Sequence, residues 1–177
     1  VSTKAVAEAA ALTQTMVHYH FGSKEALWKA AIDRLMRRRG RAFPISKLEL
    51  IDIDPASRLK ILIRRLVEAN VAEPNYARIV MHEAVARTPR LEWLIENYLG
   101  SGFEVFDNAV RLAIEAGQIR ALRVDQVTSV VTSAAVLTFS LGAVSERIHG
   151  VDVRSEAYVQ SFSDTLIQIL FDGLKPR

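Results

Sequence analysis

Thr13-Gln14-Thr15-Met16-Val17-His18-Tyr19-His20-Phe21-Gly22-Ser23-Lys24-Glu25-Ala26-Leu27 has the pattern of a short helix, a Gly-Ser break and the start of a longer helix. Thr13 can cap a helix that Gln14 to Phe21 continues. At ~100° per residue, Val17 and Phe21 fall on one side of that helix and are expected to pack inward. Thr15 and Tyr19 then point nearly opposite, flanked by Met16 and His18. Gly22 stops the helix and Ser23 caps the next one. The segment therefore spends two apolar side chains on its own packing and turns polar and aromatic groups outward.

Before it, Ser2 or Thr3 can cap a short Ala-rich helix from Thr3 to Ala10, with Val6, Ala9 and Ala10 on its inner face. Ala11 and Leu12 join it to the first stretch. On the other side, Lys24 to about Arg39 carries Leu27, Ala31 and Leu35 as an inward stripe, with Trp28 and Ile32 beside it. Glu25 suits the positive end of that helix dipole, and Arg37, Arg38 and Arg39 suit the negative end; a phosphate contact is the alternative for the three arginines. Two short helices joined by a tight turn and docked on a third are the parts of a helix-turn-helix DNA reader.

The rest of the chain differs in character. Gly40 to Pro55, with Pro44, Asp52 and Asp54, breaks the pattern and marks a boundary, giving a reader with its linking helix at 1–41 and a helical body at 42–177. Helical spacing recurs in the body over Pro55–Ala72, Tyr76–Ala86, Leu91–Leu99, Phe103–Ala116, Asp125 to about His149, and a last helix capped by Ser155. Gly100-Ser101-Gly102 reads as a break. No strand alternation or repeat is visible, so the fold class is all-α.

Composition narrows the function. Half of the 177 residues are hydrophobic, enough for a real core, and the absence of cysteine excludes a disulfide framework, a thiol nucleophile and Cys-ligated zinc. That suits a reducing cytosol. Residues 1–41 hold eight basic and three acidic residues, a charge of +5, whereas the remainder holds 15 and 17, a charge of −2. A basic end on a slightly acidic body suits a polyanion. No signal peptide is visible. Gln126 to Ser145 carries no charge, but its scattered hydroxyls and the lack of basic or aromatic flanks suit a buried helix rather than a membrane span.

Tyr19-His20-Phe21-Gly22-Ser23-Lys24-Glu25-Ala26-Leu27, preceded by Val6, Ala7 and Ala10, resembles the DNA-binding domain of the TetR/AcrR family of bacterial transcriptional regulators. The likeness is strong over residues 2–39 and rests on helix order beyond them. Three features depart from the family pattern. Ala11 stands where the family usually has Gly, so the turn either avoids positive φ or carries strain. His18 stands where an aromatic is usual. The family's first helix is missing, and the chain is expected to be part of a longer polypeptide.

The resemblance implies that the start of the recognition helix meets base edges while phosphate contacts fix its register. Gln14 is then suited to adenine, and Met16 or the Thr15 methyl to a thymine methyl. Thr13, Tyr19 and Lys24 become phosphate anchors. His18 could donate to base or phosphate, whereas His20 reads as half-buried and structural. His18 and His20 diverge by ~200° on a helix and cannot share a metal ion. No metal or cofactor is expected, and His82 and Glu83, as sequence neighbours, are expected to face different ways. No catalytic constellation is visible, so no enzyme is expected.

The resemblance further implies a body that binds a small-molecule effector and dimerises through its last two long helices. Met81, Trp93, Phe103, Phe106 and Phe139 would line the effector site, with Asn70, His82 and Thr138 as its polar points. Ser133 and Leu137, with Phe162, Leu166, Ile169 and Leu170, would form the homodimer seam. The whole is then a cytoplasmic, nucleoid-associated repressor that binds double-stranded DNA at a palindromic operator and is released by its effector through movement of the Lys24–Arg39 helix. A ligand-independent DNA-binding adaptor and a helical enzyme are the rival readings.

Overall fold

A computed structural model describes residues 2–42 and 52–174, and among them all regular structure is helical. The helices are α1 (Thr3–Ala9), α2 (Gln14–Phe21), α3 (Lys24–Ala42), α4 (Pro55–Ala72), α5 (Pro74–Ala86), α6 (Pro89–Leu94), α7 (Gly100–Glu115), α8 (Val124–Ser140), α9 (Gly142–His149) and α10 (Glu156–Leu174). The chain divides into two compact units, Val1–Arg38 and Arg39–Arg177. Residues 43–51, including Pro44 in the middle of the expected boundary stretch, lie outside the described residues. Gly40 does not end α3, which runs on to Ala42.

In the first unit, Ser2 caps α1 by accepting a hydrogen bond from the Ala5 amide at 3.1 Å. Ala7 is the buried residue of α1, while Ala9 and Ala10, expected inside, are exposed. The turn after α1 satisfies its last carbonyls in a paired arrangement: the Leu12 amide donates to Ala7 O at 2.9 Å and the Ala11 amide to Glu8 O at 3.1 Å. That motif requires a left-handed residue between them, and Ala11 supplies it at φ +53°. Of the two outcomes open to the turn, the strained one is found.

The second unit is built around α4, which packs against α7, α8 and α10. Asp54 caps it through Ser57 N (3.0 Å), and Pro55 stands at the first turn, where a missing N–H costs nothing. Leu59, Leu62, Ile63, Leu66 and Val67 recur at helical spacing and are buried against Phe106 and Val110 of α7, Val131, Ala135 and Phe139 of α8, and Leu166 and Ile167 of α10. Each such side chain contributes ~1.5–3 kcal/mol by leaving water, which makes this cluster the main reservoir of the unit's stability.

In the body, α5 and α6 start two residues early, at Pro74 and Pro89, and two breaks also differ from the sequence reading. Gly100-Ser101-Gly102 is not a break: Ile95–Leu99 form a π turn that carries α6 into α7. Asn97 Nδ2 donates to Trp93 O at 2.8 Å and Ser101 Oγ to Tyr98 O at 3.1 Å, so side chains take up backbone acceptors there. A Cβ on Gly100 would sit 3.0 Å from Ile95 O, which explains glycine at the end of the widened turn. The uncharged segment, in turn, is two helices, α8 and α9, set at 65°. Gly142 at the bend leaves room for Val153, whose Cγ2 would lie 2.7 Å from a Cβ there.

Four hydroxyls of α8 bond back to its own carbonyls: Ser129 to Asp125 O at 2.7 Å, Thr132 to Thr128 O at 2.8 Å, Thr138 to Ala134 O at 3.0 Å and Ser140 to Val136 O at 2.8 Å. These bonds let a helix with many hydroxyls, and no charge after Asp125, pack in a protein core. No single helix among the described residues is long and apolar enough to cross a membrane.

Candidate nucleic-acid interface

The exposed face of α2 is set by its cap and one buried anchor. Thr13 Oγ1 accepts from the Met16 amide at 3.2 Å, which leaves the hydroxyl hydrogen free to donate outward. Val17 is buried at 4 % exposure and holds the helix down. Phe21, expected beside it, is 39 % exposed: α2 ends at Phe21 and the chain turns away at Gly22 (φ +72°), so that ring lies at the rim. Gln14, Thr15, Met16, His18 and Tyr19 are all exposed, Tyr19 at 85 %. His20 is exposed too, rather than half-buried, with its ring edge-on to Tyr19 at 5.4 Å between centroids.

Ser23 opens α3 by accepting from Ala26 N at 3.0 Å, and Lys24 is the exposed first residue of that helix. A lysine at a helix N-terminus sits beside free amides, and together they suit a phosphate. Further along α3 the buried stripe is Ile32, Leu35 and Arg39, not Leu27, Ala31 and Leu35; Leu27 is half-buried and Ala31 is exposed. Arg39 therefore departs from the reading of the arginine triplet as a charged helix end. Its guanidinium is buried in the second unit against the Tyr76 ring. Burial lowers the Arg39 pKa, opposed by Tyr76 and Glu73, and raises that of Tyr76, opposed by Arg39.

One contact in the first unit was not expected from sequence. Gln14 Nε2 donates to the Thr3 hydroxyl oxygen at 3.3 Å, tying the first residue of α2 to the first residue of α1. Only the turn geometry brings residues eleven apart together, so spacing alone gave no signal for it.

The body residues singled out from sequence fall into two groups. Asn70, Phe106 and Phe139 are buried, and Asn70 Nδ2 reaches Ala135 O on α8 at 3.4 Å. The Asn70 Oδ1 and Thr128 Oγ1 atoms are buried without hydrogen-bond partners among the described residues. Thr138 is half-buried and its hydroxyl is satisfied within α8. Met81 and Phe103 are exposed at 36 % and 46 %, and Trp93 is half-buried. His82 is largely exposed and, contrary to the sequence reading, touches Glu83: its Nδ1 lies 3.3 Å from Oε1 of the buried glutamate, which also accepts from the Thr88 hydroxyl.

The residues expected at a dimer seam also divide. Ser133, Leu137 and Ile169 are exposed, whereas Phe162 and Leu170 are half-buried. Phe162 packs edge-on to Phe139 at 5.3 Å and stacks on Tyr158. Leu166 is already buried in the core of its own protomer and offers a partner little surface.

Residues 1–31 match the family model for bacterial regulatory proteins of the tetR family, and residues 55–170 match that for the tetracycline repressor-like C-terminal domain. Among curated proteins, none matches in sequence. Among solved structures, the chain is similar to a HlyIIR mutant carrying a glycine-serine linker substitution, with TM-score 0.69 and 17 % identity over 100 % of this chain and 85 % of that one. It is also similar to the ketosteroid transcriptional regulator KstR2 of Mycobacterium tuberculosis, with TM-score 0.66 and 20 % identity over 100 % of this chain and 86 % of that one. At these identities the likeness shows the fold alone. Matched by its family models over most of its length, the chain belongs to the TetR family of DNA-binding bacterial transcription regulators, which are not enzymes.

Proposed function

We propose that the protein is a cytoplasmic, dimeric repressor that binds a palindromic operator and is released by a small-molecule effector. The observation that carries this reading is the exposed face of α2, where Gln14, Thr15, Met16, His18 and Tyr19 turn outward from a helix anchored by Val17. Gln14 and Thr15 with Met16 meet base edges; Thr13, Tyr19 and Lys24 hold phosphates; His18 donates to either. Two copies place their α2 helices in successive major grooves about 34–36 Å apart.

Dimerisation is supported by the apolar side chains left uncovered on α8 and α10, Val130, Leu137 and Ile169, at 56 %, 42 % and 66 % exposure. An effector site in the body is supported by Asn70 and Thr128, two polar side chains held in the α4–α8 core with an atom each unsatisfied. Leaving such atoms unmade costs ~1–3 kcal/mol each, a cost that a bound molecule would relieve. The effector acts through α3, whose residues belong to both units, by a coupling of ~1–3 kcal/mol.

Selection of a preferred duplex from a random library, followed by anisotropy titrations across a salt series, tests the reading. Lys24→Ala should weaken binding to all sequences and reduce the salt slope by about one. Gln14→Ala should relax preference at one base position only. Selection that yields no preferred, palindromic duplex rejects the proposal. Thermal-shift screening against a metabolite panel tests the effector arm, and release of the duplex must accompany any stabilisation.

A further inference from the structure

We infer that Thr3, on α1, is a specificity-determining positioning residue for Gln14; the inference rests on the reading that Gln14 meets a base edge. The Gln14 side chain is exposed, and a free glutamine amide reads bases ambiguously. Its oxygen accepts and its nitrogen donates, so by turning over it can serve adenine, or offer only donors to guanine or thymine, or only its acceptor to cytosine. In this structure the amide is not free. Nε2 spends one hydrogen on Thr3 Oγ1 at 3.3 Å.

That bond has two consequences. It sets Nε2 as the end that faces Thr3, and turning the amide over would need the Thr3 hydroxyl to change from acceptor to donor at the same time. It also leaves one N–H and both lone pairs of Oε1 for the DNA. One donor and one acceptor side by side are what adenine N7 and N6 require for bidentate pairing. The held amide thus selects A·T over bases that need two donors. The ordering entropy of the side chain is met before DNA arrives, which favours a single pairing over an average of several.

Thr3 is suited to this role without being essential to the fold. The cap of α1 is Ser2, not Thr3, so the helix start does not depend on the Thr3 hydroxyl. Thr3 is half-buried, and valine preserves its shape while removing the acceptor. Its charge is nil, so a specificity role and a phosphate-anchoring role predict different salt behaviour.

The test uses the full chain with duplexes bearing all four base pairs at each position of the selected site. Gln14→Ala is expected to cut discrimination at one A·T position by about 5- to 150-fold, the range of a bidentate contact. Thr3→Val is expected to cut discrimination at that same position by roughly 2- to 10-fold, the worth of one neutral hydrogen bond, with an unchanged salt slope. Thr3→Ser should retain wild-type discrimination, and the double variant should match Gln14→Ala alone. Should valine lower the melting temperature enough to unfold the reader, Thr3→Ala takes its place. Uniform weakening on every duplex with a shallower salt slope, or no change, overturns the inference while leaving Gln14 as the reading residue. A Gln14→Ala variant with unaltered preferences overturns both.

Discussion

The Arg39 guanidinium carbon lies 3.9 Å from the centroid of the Tyr76 ring, with Arg39 buried and Tyr76 half-buried in the second unit. A cation held over a ring away from water is worth ~2 kcal/mol, but a buried charge also carries a desolvation cost. The two substitutions should therefore be unequal. Tyr76→Leu leaves the charge buried without its ring and should destabilise by ~2 kcal/mol or more. Arg39→Met removes the charge and the unsatisfied Nη1 together and should cost less. The pair should be coupled, so urea denaturation of both single variants and the double should give a sub-additive cycle. Equal and additive losses would show that the ring and the charge do not interact.

Ala11 sets two backbone terms against each other. Left-handed alanine at φ +53° costs roughly 1–2 kcal/mol that glycine does not pay. Glycine in turn adds about 0.4–1 kcal/mol of unfolded-chain entropy. The strain term is larger, so Ala11→Gly should stabilise the first unit by ~0.5–1 kcal/mol, seen as a raised melting temperature, without altering base preference. A lower melting temperature would mean that the turn is not under strain.

How much of this was legible in the sequence depends on how local the cause is. Caps at Thr13, Ser23 and Ser155 (whose Oγ accepts from Tyr158 N at 3.3 Å), the outward face of α2 and the stripe of α4 follow from spacing within one helix and were readable, while the first cap was narrowed to Ser2 or Thr3. Ala11 was narrowed to two outcomes, because positive φ there depends on carbonyls three and four residues back. The rest is tertiary. Spacing alone could not place Arg39 against Tyr76, bring Thr3 to Gln14, or bend α8 into α9 at a glycine facing Val153. The alternation of Ile32, Leu35 and Arg39 as a buried stripe was hidden by the expectation that an arginine stays in water.

Asp54 gives the second unit an acid-sensitive element. Hydrogen bonds from Ser57, side chain first and backbone next, hold its pKa below the ordinary carboxylate value. A depressed folded pKa means that its stabilisation is complete above the unfolded value, ~3.9, and is lost as pH falls through the lower folded one. Asn caps a helix about as well as Asp. Asp54→Asn should therefore change the melting temperature little at neutral pH and flatten its fall below pH ~4. Asp54→Ala should lower it at neutral pH as well. An acid limb identical in wild type and Asp54→Asn would remove Asp54 from the account.

Leu137 and Leu166 separate the proposed seam from the core. Leu137 is 42 % exposed on α8, where no charge occurs from Gln126 to Ser145, while Leu166 on α10 is 8 % exposed within its own protomer. Leu137→Glu places a charge where an apolar partner surface is proposed but disturbs little inside the protomer, where surface substitutions usually stay within about 0.5 kcal/mol. It should convert a dimer to a monomer in sedimentation velocity at micromolar concentration and weaken operator binding, with helicity retained. Leu166→Ala should instead lose ~2–5 kcal/mol of stability through the cavity it opens. A Leu137→Glu protein that sediments as wild type would place the dimer contact elsewhere. The exposed Ile169 on the neighbouring helix, at 66 %, is then the residue to charge next, because α8 and α10 fail independently if only one of them forms the seam.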